Sequence, residues 1–293
     1  MTKIIDLNFQ GKHQAIASFV VETSMGPALI ETGPYSTFPH LEKGLNTAGY
    51  AIEDIQHVFL SHIHFDHAGA AWAFADKGAT IYLHPFGKKH LGQPEKLYNS
   101  AKRIYGDMME KLWGEMNPID DERLHTVEHQ NGILLGETTF RAWHTPGHAV
   151  HHIAWQVDKT LFAGDVAGVS IAGGPVVPPC PPPDINIEDW MASIALLESL
   201  DLDEMYLTHF GKITDIGPHF TELKTILNNW AMWMKPWYDT QTEQKEIVPL
   251  FEKYVRNYLQ SKGVTGEDLI RFELANPSWM SVAGLMRYWH KKT

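Results

Sequence analysis

The chain has 293 residues, 44% of them hydrophobic and 20% charged, which is the balance of a globular protein with a large core. Its 24 Lys and Arg against 35 Asp and Glu leave a formal charge of -11, which argues against nucleic acid as a partner. The single cysteine, Cys180, cannot form an internal disulfide and fits a reducing compartment, so we expect a cytoplasmic protein.

No targeting or membrane-spanning segment is expected. The N-terminus lacks an apolar stretch of signal-peptide length. The longest charge-free run, residues 166–183, has the length of a membrane span, but nine of its eighteen residues are Pro or Gly. This run is therefore predicted to be a loop, and no membrane partner is expected.

The first part of the chain predicts a β-meander followed by alternating helices and strands. Short runs with β-branched and aromatic residues, separated by glycines, indicate the strands, and apolar residues at helical spacing indicate the helices. The predicted strands cover residues 3–7, 15–22, 28–31, 57–60 and 80–83, and the predicted helices cover residues 38–48 and 68–75.

A helical insertion is predicted at about residues 87–117, because its apolar residues recur every three to four positions. Strands are predicted to resume at residues 138–143, 153–157 and 160–163. After the proline-rich loop, Asn186 is a candidate N-cap for a helix that continues to residue 200. Beyond Gly211 the pattern is purely helical. We therefore expect one domain over residues 1–211 and a helical subdomain over residues 212–293 packed on it.

The segment after the strand at 57–60 reads Ser-His-Ile-His-Phe-Asp-His and concentrates metal ligands. At a strand end, His62 and His64 can converge on one metal ion, while Asp66 and His67 turn toward a second. Further ligand candidates are His148, Asp165 and His209, and each of them follows an apolar run. Imidazole and carboxylate ligands of this kind suit zinc or iron.

The order of these motifs between residues 28 and 211 resembles the metallo-β-lactamase superfamily. The resemblance implies an α/β fold, a four-layer αββα sandwich with the metals at one edge where strand-end loops meet. It places His62, His64 and His148 on one ion and Asp66, His67 and His209 on the other, with Asp165 bridging the two.

Two further residues are expected to support the ligands from behind. Glu31 stands where the family usually has an aspartate that holds the ligand loops, so its longer side chain can shift that support. His152 has a counterpart in the glyoxalase II-like and lactonase-like branches, but a structural role at the start of a strand fits it equally well.

Two divalent ions that share a hydroxide provide a nucleophile at neutral pH and polarise the attacked oxygen, so hydrolysis is the predicted reaction. Asp66 is the candidate catalytic residue that returns a proton to the leaving group. The sequence has no G-x-S-x-G motif, and a covalent acyl-enzyme has no support. Zinc is the expected metal, with iron and manganese as the other candidates.

The substrate is expected to be a small molecule with an ester, lactone or thioester bond, since the resemblance does not separate lactonases from glyoxalase II-like thioesterases. Two other functions stay open: an iron-dependent dioxygenase acting on thiol persulfides, and a metal-bearing binding or regulatory protein with little turnover. The sequence also leaves open whether the chain forms a homodimer.

Most apolar residues of the predicted helices are assigned to the core. Trp233 and Met109 lie off the main apolar stripes and are the candidates for the wall of a substrate pocket. Cys180 has no partnered base nearby in sequence and is expected to be a buried thiol. Structural roles are assigned to the remaining histidines near the motifs, which are His57, His84, His144 and His151.

Overall fold

The computed structural model describes residues 2–292, which contain two six-stranded β-sheets packed face to face between layers of helices. The first sheet has the spatial order β1-β2-β3-β4-β5-β6. Its strands are antiparallel from β1 to β3 and parallel from β3 to β6. They are β1 (Thr2–Asp6), β2 (Ala17–Thr23), β3 (Gly26–Ile30), β4 (His57–Phe59), β5 (Thr80–Leu83) and β6 (Leu124–Thr126).

The second sheet has the order β12-β11-β10-β9-β8-β7 and is antiparallel except for the pair β10 and β11. Its strands are β7 (Gly132–Leu135), β8 (Thr138–His144), β9 (Ile153–Val157), β10 (Thr160–Phe162), β11 (Glu204–Leu207) and β12 (Gly211–Ile213).

The helices connect and cover the sheets. They are α1 (Phe38–Ala48), α2 (Phe65–Ala68), α3 (Ala71–Ala75), α4 (Pro85–Gly92), α5 (Glu95–Tyr105), α6 (Met109–Trp113), α7 (Ile187–Glu198), α8 (Ile216–Asp239), α9 (Gln244–Ser261), α10 (Glu267–Ala275) and α11 (Ser278–Lys292). Short 3-10 turns lie at Phe9–Gly11, Tyr35–Thr37, Ile52–Asp54, Gly106–Met108, Asp121–Arg123 and Gly164–Ala167.

Alternation of side chains along the strands produces the four layers. In β4, Phe59 points between the sheets and stacks on Phe140 of β8 with ring centroids 4.1 Å apart. Its neighbour Val58 packs on the opposite face, in the same cluster as Leu41 and Leu45 of α1. Successive strand residues face opposite sides of a sheet, so both faces of the first sheet are apolar and both are covered. The predicted αββα sandwich is confirmed.

The C-terminal helices share one core with the second sheet. Phe220 of α8, Phe251 of α9 and Val282 of α11 belong to the same buried cluster as Leu161 of β10 and Trp190 of α7. Burial of this much apolar surface is the main stabilising contribution to such a layer. The helical subdomain was predicted over residues 212–293, and its described residues, 212–292, supply much of the helical layer over the second sheet.

Most predicted elements occur where the sequence placed them. The insertion at about 87–117 consists of the three helices α4, α5 and α6 between β5 and β6, and Asn186 caps α7 by accepting hydrogen bonds from the backbone N–H groups of Glu188 and Asp189. The sequence did not predict β6, β7, β11, β12 or α10. All four of these strands have four residues or fewer, too few for a period-two pattern to stand out.

Within residues 2–292, none of the helices combines the length and the apolar character that crossing a lipid bilayer requires.

The packing of α11 on the proline-rich loop is tight enough to test with a single methyl group. A Cβ atom on Gly284 would lie 2.0 Å from the carbonyl oxygen of Cys180. We expect Gly284→Ala to lower the free energy of unfolding by about 1–3 kcal/mol, because backbone atoms must move to admit the methyl group. Urea unfolding monitored by circular dichroism measures the change.

The matched control is Gly217→Ala in α8, because nothing lies within 4 Å of the Cβ position there. That variant should keep or slightly raise the stability, since alanine favours helix over glycine. Equal stability of the two variants would contradict the close approach of α11 and the loop.

Candidate metal centre

Four loops that follow strands meet at one edge of the sandwich. The segment after β4 supplies His62, His64, Asp66 and His67, and the loop between β8 and β9 supplies His148. Asp165 comes three residues after the end of β10, and His209 comes two residues after the end of β11. The two sheets therefore contribute ligand candidates from both sides of the interface between them.

The change from strand to helix within the β4 segment explains how neighbouring residues face two positions. His64 has an extended backbone and precedes α2, whose first turn contains Asp66 and His67. In extended chain, residues two apart point to the same side, which brings His62 and His64 together. The helical turn then directs Asp66 and His67 toward His209, while His67 stays next to His62 with ring centroids 4.0 Å apart.

Glycines directly before two of the candidates allow the loops to approach closely. Gly147 precedes His148 with φ +135°, and a Cβ there would lie 2.3 Å from the Cα of Trp190. Gly164 precedes Asp165 with φ +53°, and a Cβ there would lie 2.7 Å from atoms of His152 and Ser61. Side chains at these positions would push the ligand loops apart.

The first group contains three imidazoles. Nδ1 of His64 lies 2.9 Å from Nε2 of His62 and 3.2 Å from Nε2 of His148. The three side chains offer nitrogen atoms that lie within 4.8 Å of one another, which is close enough to ligate a single ion.

The second group contains Asp66, His67 and His209. Oδ2 of Asp66 lies 3.7 Å from Nε2 of His67 and 3.4 Å from Nε2 of His209. Asp165 stands between the two groups: its Oδ2 lies 3.2 Å from Nε2 of His148, and its Oδ1 lies 3.3 Å from Nε2 of His67. The two oxygens of this carboxylate thus face different groups, as a bridging ligand requires.

The ligand atoms have unused bonding capacity that fits metal ions. Nε2 of His67, Nε2 of His209 and Oδ1 of Asp165 are buried without hydrogen-bond partners. Nδ1 of His148 lies 2.9 Å from the carbonyl oxygen of Pro179, and Nδ1 of His209 lies 2.7 Å from that of Ala15. A carbonyl only accepts, so Nδ1 carries the proton in both rings and Nε2 has its lone pair free for a cation.

Burial keeps the first group uncharged. It lowers the pKa of His62 and of His148, and it lowers the pKa of His64 to about 3, with the neighbouring histidines adding to the effect. Neutral imidazole is the form that ligates a metal ion.

Carboxylates determine the protonation of the histidines in the second group. Burial alone would lower the pKa of His67 and His209, but Asp165 and Asp66 outweigh it and raise both pKa values. Burial alone would raise the pKa of Asp66, but His67 and His209 hold it at about 2. Here positive charge must balance the carboxylates, and protons and divalent cations compete for that role. The donor set is suited to divalent metal ions.

Glu31 lies directly behind the second group. Its Oε1 accepts a hydrogen bond from the backbone N–H of Ser61, and its Oε2 lies 3.4 Å from Nδ1 of His67. The glutamate in place of the usual aspartate therefore contacts both the start of the motif loop and one of its ligands, and such contacts orient a ligand ring.

His152 connects the two loops of the second sheet. Its Nε2 accepts a hydrogen bond from the backbone N–H of Asp165 at 3.1 Å, and its Nδ1 lies 2.7 Å from Oγ1 of Thr145. The backbone of the bridging aspartate is thus held by a buried side chain, which is the supporting position that the sequence suggested for His152.

A cavity of about 1060 Å³ opens onto the centre, and His64, Asp66, Asp165 and His209 form part of its wall. Most of the remaining wall is apolar and comes from α5, α6 and the segment around the start of α11. These apolar residues include Phe65, Leu97, Ala101, Ile104, Met108, Leu112, Trp113, Leu274, Pro277, Trp279 and Met280.

Neither predicted pocket residue lines this cavity. Met109 is buried behind the wall against Phe65 and Ala101, and its neighbour Met108 faces the cavity instead. Trp233 packs among the C-terminal helices, where its ring centroid is 5.3 Å from those of Phe251 and Tyr254. Helical spacing separated these residues from the main stripes but could not show which neighbouring helix covers them.

Of the other residues that the sequence singled out, four have the structural environment expected of them, and His151 does not. Cys180 is fully buried, and burial raises its pKa, so it does not face the cavity as a thiolate. His57, His84 and His144 each have a hydrogen-bond partner and fit the structural roles assigned to them. His151 was assigned the same role but lines the cavity beside the first group, a position that no sequence pattern indicated.

Comparisons with known proteins agree with this architecture. A family model described as the Metallo-beta-lactamase superfamily matches residues 13–209. The chain is 33% identical to the metallo-beta-lactamase fold-containing protein ST1585 of Sulfurisphaera tokodaii over 167 residues, which are 56% of this chain and 63% of that protein. The aligned part thus spans less than two thirds of that relative. The crystal structure of ST1585 superposes with a TM-score of 0.64 at 22% identity and covers 97% of both chains.

Two further relatives have names that describe an activity. A probable metallo-hydrolase of Bacillus subtilis, YqjP, is 24% identical over 224 residues, which are 69% of this chain and 70% of that protein. The atrochrysone carboxyl ACP thioesterase of Aspergillus fumigatus is 27% identical over 212 residues, which are 69% of this chain and 39% of that protein.

The bridging position of Asp165 predicts a difference in metal binding between two variants. Asp165→Ala should lower the affinity for metal at both groups, because each group loses a carboxylate oxygen. His148→Ala should chiefly weaken the first group, because an imidazole nitrogen serves one ion. Elemental analysis after dialysis against limiting zinc measures the stoichiometry. Retention of wild-type metal content by Asp165→Ala would contradict the bridging role.

Proposed function

The chain belongs to the metallo-β-lactamase superfamily, and we propose that it is a hydrolase with two divalent metal ions that cleaves ester, thioester or lactone bonds in small molecules with an apolar acyl group. The observation that carries this proposal is the position of the ligand cluster at the wall of a large apolar cavity. A substrate bound in that cavity would place its ester, thioester or lactone bond at the ligand cluster while its acyl group is buried.

His62, His64 and His148 would hold one ion, and Asp66, His67 and His209 the other, with Asp165 between them. Bound as a pair, divalent ions lower the pKa of a shared water and polarise a carbonyl oxygen. Zinc is the proposed metal, because four-coordinate sites of imidazole and carboxylate ligands are typical of it. The chain's contribution is to orient the ring of His67 through Glu31 and to hold the backbone of Asp165 through His152.

Asp66 is the proposed proton carrier. Its side chain is 22% exposed, whereas those of Asp165 and His67 are almost fully buried. It therefore lies where a carboxylate can take a proton from the attacking water and return it to the departing oxygen or sulfur. General acid–base catalysis needs the carboxylate within hydrogen-bonding distance of the group that gives or takes the proton.

The charge of the cavity wall favours substrates without an anionic group in the buried part. Among residues 2–292, no Lys or Arg lines the cavity, while Asp184 and Glu273 add carboxylates away from the ligand cluster. An anionic group placed there would lose its hydration without gaining a positive partner, which is costly in apolar surroundings. The similarity to a protein named as a thioesterase agrees with an acyl substrate.

A substrate panel tests the proposed reaction. With zinc restored, the protein should hydrolyse esters, lactones or thioesters of apolar acids, and chelation should abolish the activity. An acyl chain that ends in a carboxylate should lower kcat/KM by about tenfold relative to the neutral chain, because the cavity wall offers it no cation.

Two outcomes of that panel would overturn the proposal. Phosphodiesters hydrolysed faster than every carbonyl substrate would exclude the acyl class. Oxygen consumption with thiol persulfides and iron, in the absence of any hydrolysis, would favour the dioxygenase alternative instead.

Ile104 tests the cavity wall. It lies in α5, is 50% exposed and faces the cavity. Ile104→Ala should lower kcat/KM for long acyl chains more than for short ones, by up to about fourfold for each methylene contact that is lost, since a buried methylene is worth about 0.8 kcal/mol.

Ile270→Ala in α10 is the matched control, because Ile270 is 54% exposed but does not line the cavity. It should affect long and short chains equally. An equal loss for all chain lengths in Ile104→Ala would remove this residue from the substrate wall.

A further inference from the structure

His151 has the environment of a ligand-binding side chain. It lies between β8 and β9, three residues after His148, and only 8% of the residue is exposed. Its Nδ1 is buried without a hydrogen-bond partner, and its ring has no other hydrogen bond within the part of the chain that the structure describes. Nε2 is likewise without a hydrogen bond to the described residues but is not among the buried atoms, so it is the ring nitrogen that a ligand in the cavity can reach.

The ring of His151 lies beside the first ligand group without belonging to it. Its centroid is 5.8 Å from that of His64 and 6.1 Å from that of His62. No group of converging ligand atoms among residues 2–292 includes it. A substrate carbonyl held against the first group would therefore lie within reach of this ring.

The other histidines near the centre differ from His151 in one respect. His84 accepts a hydrogen bond from the backbone N–H of Phe86, and Nε2 of His144 lies 2.8 Å from the carbonyl oxygen of Val127. His152 has partners at both nitrogens. His151 combines burial, proximity to the ligand cluster and a ring that the protein leaves unpaired.

We propose that His151 is a substrate-binding residue whose Nε2–H donates a hydrogen bond to the carbonyl oxygen of the substrate. The carbonyl oxygen is the acceptor that esters, lactones and thioesters share, and it gains negative charge when the carbonyl carbon is attacked. A donor already placed beside it stabilises that charge more than it stabilises the bound substrate. This role rests on the proposed hydrolase function.

Kinetics of two variants test the role of the donor. His151→Phe keeps a ring of similar shape but removes the N–H, and it should lower kcat by about 10²-fold with a smaller change in KM, as for other lost donors to a developing oxyanion. His151→Gln offers an amide N–H and should recover part of the loss. The metal content of both variants should equal that of the wild type.

The matched control is His125→Phe, because His125 is an exposed residue of β6 outside the cavity. It should leave kcat and the metal content unchanged. Wild-type kcat in His151→Phe, or a loss of activity that follows a loss of metal, would overturn the proposal.

A binding experiment separates this proposal from the hydrolase function. A long-chain methyl ketone keeps the carbonyl and the alkyl chain but cannot be hydrolysed, and the alkane of equal length lacks the acceptor. Wild-type protein should bind the ketone more tightly than the alkane, and His151→Phe should lose about tenfold of that preference, as expected for one hydrogen bond in an apolar cavity.

The two experiments together distinguish a failure of the role of His151 from a failure of the hydrolase function. If the ketone preference depends on His151 but no carbonyl substrate is hydrolysed, the binding role stands and the hydrolase function fails. If substrates are hydrolysed while His151→Phe keeps the full ketone preference and full kcat, the role of His151 fails and the hydrolase function stands.

Discussion

The structure depends on the electrostatic balance around Asp165, a buried carboxylate set between imidazoles from three different loops. Its two oxygens lie 3.2 Å from Nε2 of His148 and 3.3 Å from Nε2 of His67. A carboxylate removed from water is stable only when positive charge or hydrogen-bond donors replace its hydration. The loops of both sheets are therefore tied to one point, where divalent metal ions would supply the balancing positive charge.

The fold around this point brings the strand ends of both sheets together at one edge of the sandwich. Phe59, Phe140 and the other rings between the sheets fix the distance between the two halves. Glycines at positions 147 and 164 then let the loops touch where a side chain would collide. Glu31 and His152 fill the remaining gaps with hydrogen bonds to the ligand loops. Rigid support of this kind preserves the geometry of the metal ligands when protons or small molecules bind and dissociate.

Helices added to the sandwich determine what the centre can bind. The insertion between β5 and β6 supplies one wall of the cavity, and the segment around Pro277 and Trp279 supplies the opposite wall. The aromatic contact of Tyr105 with Trp279, at a centroid distance of 5.7 Å, joins the two across a large sequence separation. The ligand cluster therefore owes the shape of its cavity to segments outside the two sheets.

The sandwich and the ligand candidates could be predicted from the amino-acid sequence, because both depend on local patterns. Short apolar runs in β2 and β4 mark strands that are covered on both faces, and the motif from His62 to His67 follows directly after a strand. The lining of the cavity, by contrast, depends on packing: Met108 rather than Met109 faces it, and Trp233 lies among the C-terminal helices. Packing also leaves His151, unlike His57, His84 and His144, without a hydrogen bond to any of residues 2–292. A periodic pattern shows which residues share a face, but the neighbour that covers the face comes from a distant part of the chain, so packing determines the shape and polarity of the cavity.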